Sequence, residues 1–156
     1  ELALGVQSVS GAVLAAERLV AIATDDAKAF TAEREEEERA AALRSLGLEP
    51  GASVPMGLRA SLKALEGDQK RRATRSVRDG IDRVLVDLLS LYRDVLLLQL
   101  GGGVELVNEA IRGELESAAR AGHPEQSLAA LDAVALARRR IEGNTPPALA
   151  LEAMLI

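Results

Sequence analysis

Apolar residues in this chain recur at intervals of three and four over stretches far longer than any strand. Val6, Val9, Val13, Ala16, Val20, Ala23, Ala27 and Phe30 form one series. Leu58, Leu62, Leu65, Ala73, Val77, Ile81, Val84, Leu88, Tyr92 and Val95 form a second, and its phase survives the charged segment at 69–72. With 3.6 residues per turn each series lies on one stripe of an α-helix, whereas a strand would need alternation at two. The first series predicts a helix opened by Ser8 or Ser10, whose side chains suit the capping of free N–H groups. It runs on through a polar stretch, and Gly47 ends it. The second predicts one helix of about 40 residues, bent near Gly67 or Gly80. Leu85, Leu89, Leu91 and residues 96–98 make its last third apolar almost all round, the pattern of a central helix surrounded by others.

Turn residues divide the rest. Pro50, Gly51, Pro55 and Gly57 mark a turn near 47–57, the clearest linker in the chain. Pro55 suits the first turn of the next helix, where its missing N–H costs nothing. Gly101, Gly102 and Gly103 end the long helix. Three shorter helices are expected after them. Residues 104–120 carry Val107, Ile111, Leu115 and Ala118 on one face, and 125–142 carry Leu128, Leu131, Ala135 and Ile141. Gly143 is placed to close the latter as a C-cap. Thr145 and Pro146 then read as N-cap and first-turn proline of a last helix. The expectation is one all-α domain over 1–156, a bundle of five to six helices with one long central helix. Composition agrees: about a third of the residues are Ala or Leu, and aromatic residues make up 1%. Sandwiches and barrels lean on aromatic and β-branched residues, and this chain is poor in the former.

Few catalytic chemistries survive a reading of the residue types. No cysteine is present, which removes disulfides, thiol catalysis and the common structural zinc sites. The one histidine, His123, sits beside Pro124 in an expected turn, and Arg120 stands where a Glu-x-x-His metal pair needs its glutamate. The glycines at 101–103 follow a helix and lack the Lys-Ser or Lys-Thr of a phosphate loop. Only an unusual carboxylate or Ser-Lys site remains, and nothing in the sequence supports one. No catalytic, cofactor-binding or metal-binding residue is therefore expected, and no cofactor. No stretch reaches the roughly 18 to 20 apolar residues of a membrane span. No signal peptide opens the chain, so a cytoplasmic location is expected. The chain begins at Glu1 rather than Met, which suggests a piece of a longer protein.

Charge is unevenly spread. The net charge is -5, so the chain as a whole is no nucleic-acid polycation. Yet Lys70, Arg71, Arg72, Arg75 and Arg78 lie within nine residues, with Arg71, Arg75 and Arg78 on one helical face. Three readings are open: a solvated face ion-paired to the acidic run at 33–38, a protein interface, or a phosphate-binding face. The acidic run reads as a solvated helix face, with Glu35 and Arg39 in the favourable i,i+4 order, or as an acidic docking patch. Tyr92, Arg93 and Asp94 interrupt the most apolar region. Burying that charge demands pairing, in an ion pair or at a subunit seam.

Four segments occur in a telling order: Gln69-Lys70-Arg71-Arg72-Ala73, Tyr92-Arg93-Asp94-Val95, Ala137-Arg138-Arg139-Arg140-Ile141-Glu142 with Asn144, and Leu149-Ala150-Leu151-Glu152-Ala153-Met154-Leu155. Together they resemble the C-terminal region of the delta-prime subunit of the bacterial DNA polymerase III clamp loader, most like the actinobacterial form. The closing segment is shared with the tau/gamma subunits, and Pro146 stands where the family usually has Asn. The resemblance implies a helical collar domain, with the AAA+-like module and lid of such subunits missing here. Collars associate into the ring that holds a pentameric loader together while it places sliding clamps on DNA. The implied partners are tau/gamma and delta, with no direct nucleic-acid contact and no membrane. The implied part is assembly, with no catalysis in this segment. Candidate interface residues are Tyr92, Arg93, Arg138, Arg139, Leu149, Leu151, Met154 and Leu155. A free-standing helical adaptor is the competing reading.

Overall fold

Helical periodicity in the sequence becomes helix in the structure almost throughout. The computed structural model describes residues 9–48 and 55–156. Five α-helices follow in order: α1 (Val9–Ser45), α2 (Arg59–Gln99), α3 (Arg112–Ala121), α4 (Pro124–Glu142) and α5 (Pro147–Leu155). Short 3-10 turns at Met56–Leu58 and Glu109–Ile111 lead into α2 and α3. No strand occurs among the described residues, so the all-α expectation holds, with α2 as its long helix of 41 residues. Of the sequence expectations, Val6 and Ser8 at the start and Pro50 and Gly51 in the linker lie outside the described residues. Ser10 lies within α1 rather than ahead of it.

Three helices end in the same way. Gly47 after α1 and Gly101 after α2 take the left-handed conformation, with φ of 71° and 66°. In each case the next residue's N–H reaches back over the last turn: Leu48 to the Leu43 carbonyl at 2.9 Å, Gly102 to the Leu97 carbonyl at 3.0 Å. This is the Schellman arrangement, which satisfies carbonyls that the helix end would leave free. At the end of α4 the left-handed residue is Asn144 (φ 67°), with Thr145 donating to the Arg140 carbonyl at 2.9 Å. Gly143 is the C-cap of α4, as the sequence predicts, with φ at -76°. The start of α5 is shifted by one residue. Pro147, not Pro146, occupies the first turn, and Thr145 makes no capping bond. Pro55 likewise precedes the 3-10 turn that opens the second long element instead of sitting in a first α-helical turn.

The chain divides into two compact units. One joins Glu1–Val20, described from residue 9, to Ile81–Ile156. Its core holds Ala15, Ala16, Ile81, Leu85, Val95, Leu106, Leu115, Val134, Ala137, Ile141, Ala150 and Leu151. The other is Ala21–Gly80, whose buried residues are Ala23, Ala27 and Leu62.

Two faces differ from the sequence expectation. On α4 the buried stripe is Ser127, Val134, Ala137 and Ile141, so the face is rotated and Leu128 is 53% exposed. The last third of α2 is not enclosed on all sides, since Val84, Val86 and the following Leu100 remain exposed.

Candidate functional site

The segment expected to be helical from residue 104 is irregular as far as Asn108. The cause is one side chain. Asp94, fully buried on α2, accepts hydrogen bonds from the backbone N–H of Val107 (3.2 Å) and Asn108 (2.7 Å) and from the Asn108 side chain (2.8 Å). Asn108 Nδ2 also donates to Ser90 Oγ, one helical turn before Asp94, at 2.7 Å. The Asp94 carboxylate thus pins, from another element, the chain just ahead of the 3-10 turn that leads into α3. With the chain held there, Leu106 enters the core beside Val95 and Leu115, and Val107 is turned outward. Burial pushes the Asp94 carboxyl up, but the Asn108 and Val107 bonds and the neighbouring Arg93 guanidinium outweigh it, and its pKa is lowered. Arg93 Nη1 lies 2.7 Å from Asp94 Oδ1 and keeps much of its side chain in solvent. The charge pair flagged in the sequence is therefore an internal lock. Asn108 and Ser90 were not flagged. The signal was there: Ser90 and Asp94 are spaced i,i+4 on a mostly apolar stretch.

The other candidate interface residues separate by burial. Leu151 is 1% exposed and belongs to the core, whereas Leu149 is 56% exposed. Met154 and Leu155 are half-buried on the same helix. Tyr92 is half-buried too, and burial raises the pKa of its phenol. Arg138 makes a two-pronged contact with Asp82 of α2, Nε to Oδ1 at 2.7 Å and Nη2 to Oδ2 at 3.1 Å. That hydrogen bonding raises the pKa of the Arg138 guanidinium, which crosses from α4 to α2 within one unit. Arg139 is exposed in the last turn of α4, where cations complement the helix dipole. Leu128 and Leu136 on α4, Leu149 on α5 and Ile156 after it all present apolar surface outward.

The basic cluster lies in the unit Ala21–Gly80 and splits in two. Arg72 pairs with Glu38 of α1, which also takes Arg34 Nε at 3.0 Å and lies 3.4 Å from Gln69 Nε2. Desolvation would raise the Glu38 carboxyl, yet these donors together lower its pKa. The Gln69 amide donates to the Glu35 carbonyl at 3.0 Å, and Arg39 pairs with Glu66 at 3.2 Å rather than with Glu35. The acidic run and part of the basic run therefore stitch α1 to α2. Lys70, Arg71, Arg75 and Arg78 point elsewhere and line one open groove.

Among the described residues no group of three or more His, Asp or Glu side chains converges as metal ligands would. No described helix is long and apolar enough to cross a membrane. His123 stands at the N-cap of α4, its backbone N–H held by Gln126 Oε1 at 3.0 Å. Comparison of the chain with protein-family models, with curated proteins and with solved structures gave no match.

Proposed function

We propose that this chain is an assembly module, the C-terminal collar domain of a clamp-loader delta-prime subunit, acting in the cytoplasm in DNA replication. One observation carries the reading. Helices α4 and α5 bury Val134, Ala137, Ile141, Ala150 and Leu151, yet leave Leu128, Leu136, Leu149 and Ile156 facing outward. Scattered exposed leucines are ordinary, but four large apolar residues on one short helical pair suit a surface that neighbours cover. The motif order described above adds the choice of complex.

On this reading the work is mechanical. Tau/gamma and delta subunits pack on the outward residues, with Leu149 as an apolar anchor and Tyr92, Arg93 and Arg139 as polar ones. A stable contact of this kind buries roughly 1,200 Å² or more in total. Arg138 stays with Asp82, Leu151 stays in the core, and the segment hydrolyses no ATP.

Co-purification tests the proposal. The chain, mixed with tau/gamma and delta of the same source at low salt, is expected to elute with them and to lose that association on Leu149→Asp. A chain that stays alone under those conditions removes the collar reading. One that instead captures unrelated helical partners favours the adaptor.

A further inference from the structure

The groove on α2 is lined by Gly67, Lys70, Arg71, Thr74, Arg75 and Arg78. We infer that it binds the phosphate backbone of duplex nucleic acid without reading base sequence. This departs from the expectation that the segment makes no nucleic-acid contact, and it stands apart from the assembly reading.

The composition of the groove selects the ligand. Four of its six residues are cations and none is apolar or aromatic. Protein partners draw their affinity from buried aromatic, aliphatic and arginine anchors seated in pockets, and a shallow face lined by no aromatic or aliphatic residue offers them little. Single strands need aromatic platforms for their bases, and the groove has none. A duplex backbone needs neither, only cations placed along its phosphates.

The placement of the cations fits that demand. Arg71, Arg75 and Arg78 follow at i, i+4 and i+7 along one helical face, with Lys70 beside them. Arg72, which the run of charges would add, is withdrawn to Glu38. Gly67 adds no side chain at the end of the groove, and a Cβ there would stand 3.9 Å from Arg71 Nη1. The Thr74 hydroxyl gives its proton to the Lys70 carbonyl at 2.9 Å and leaves recognition to the cations. Asp68 and Asp79 flank the array. Asp68 pairs with Arg71 with both side chains largely in solvent, the weakest setting for an ion pair and one that a phosphate can displace.

Fluorescence anisotropy with labelled 20-bp duplexes of two unrelated sequences tests the inference. Three or four phosphate contacts give a log–log salt slope of about -2.7 to -3.6, so affinity falls about 40- to 150-fold between 50 and 200 mM salt. Both sequences are expected to bind alike. Lys70→Gln with Arg75→Gln, two exposed positions, is expected to weaken binding by at least about tenfold at 50 mM salt and to flatten the slope by about two. Arg83→Gln with Arg140→Gln removes the same charge elsewhere on the surface and is expected to change binding by less than about twofold. Circular dichroism checks that both variants keep their helix. The inference is overturned by absent binding at 50 mM salt, by equal loss in the two double variants, by preference for single strands, or by equal binding of a polyglutamate peptide.

Discussion

The unit Ala21–Gly80 and the unit that joins Glu1–Val20 to Ile81–Ile156 both bury helix faces, but they use different materials. In the first the buried residues are Ala23, Ala27 and Leu62. Small side chains allow close approach: a Cβ built at Gly80 would sit 3.7 Å from that of Ala23. Close approach brings little apolar area, since each buried methylene contributes only about 0.8 kcal/mol. Much of the pairing between α1 and α2 therefore falls to Gln69 on Glu35, Arg39 on Glu66 and Arg72 on Glu38. The second unit buries Leu85, Leu106, Leu115, Ile141 and Leu151, each worth about 1.5–3 kcal/mol, and adds a buried carboxylate. One unit rests on exposed polar stitches, the other on volume and an enclosed hydrogen-bond network. They should fail under different insults.

The largest effect is expected at the carboxylate. Asp94→Ala leaves the Val107 and Asn108 N–H groups without their acceptor inside the protein. Losing the charged acceptor of three hydrogen bonds costs about 3–5 kcal/mol, at about 1.5 kcal/mol each. Thermal unfolding and amide exchange at Val107 and Asn108 would register it, and a loss below about 1 kcal/mol would show that the 104–108 segment is held by other means. Acid should act at the same place. Because the folded pKa of Asp94 is lowered, its contribution is complete above the ordinary aspartate value of about 3.9. It is lost as pH falls through the folded value beneath that. Amides at 107–108 should therefore lose protection as pH falls below the ordinary aspartate value in the native protein, beyond any change seen in Asp94→Asn.

Core truncations sharpen the contrast. Leu85→Ala or Leu151→Ala removes a fully buried side chain and is expected to cost about 2–5 kcal/mol. The two residues line one small apolar crevice with Leu19, Ile81 and Val84, so their effects should not add. Leu62→Ala, in the unit with the alanine core, is expected at the low end of that range, because fewer large neighbours are there to lose contact with it. Chemical denaturation of the three variants makes the comparison.

How much of this was legible in the sequence follows from the range of the forces involved. Helix identity is local: the 3.6 period, Gly47 and Gly101 read correctly because their neighbours in sequence decide them. The irregular segment at 104–108 did not, because the carboxylate that holds it comes from Asp94, more than ten residues away in another helix. The α4 face was misread for a related reason. Leu128 and Leu131 outweigh Ser127 and Ala137 on any hydrophobicity count, yet close packing selects the smaller residues. At the end of α4 Gly143 read correctly as the C-cap, and Asn144 takes the left-handed conformation just after it. Among candidate site residues the sequence marked the charged ones but not the partners Asp82 for Arg138 and Asn108 for Asp94; for Arg72 it did offer the acidic run at 33–38, which supplies Glu38. Pairing across elements is a property of the fold.

A smaller effect is expected where charge and core meet. Arg138 and Asp82 are half-exposed but bonded at two points. A double-mutant cycle with Arg138→Met and Asp82→Asn should return a coupling of about 1 kcal/mol, the upper end for such pairs after solvent screening. A coupling near zero would assign the attachment of α4 to α2 to Ala137 and Ile141 alone.

The smallest effect separates the units by salt. At 1 M the Debye length is about 3 Å, so exposed charge pairs lose most of their attraction while apolar burial does not weaken. Amides at 62–76, held by Arg39–Glu66 and Arg72–Glu38, are expected to exchange about two- to threefold faster in 1 M than in 50 mM sodium chloride. Amides at 134–141, beside Val134 and Ile141, should be unchanged or slower. Glu38→Gln should abolish part of the salt response of the first set, since Glu38 is the acceptor shared by Arg34, Gln69 and Arg72. If both sets respond equally, the stitches are not what holds α1 to α2 in that unit, and the alanine contacts at 23 and 27 must carry it.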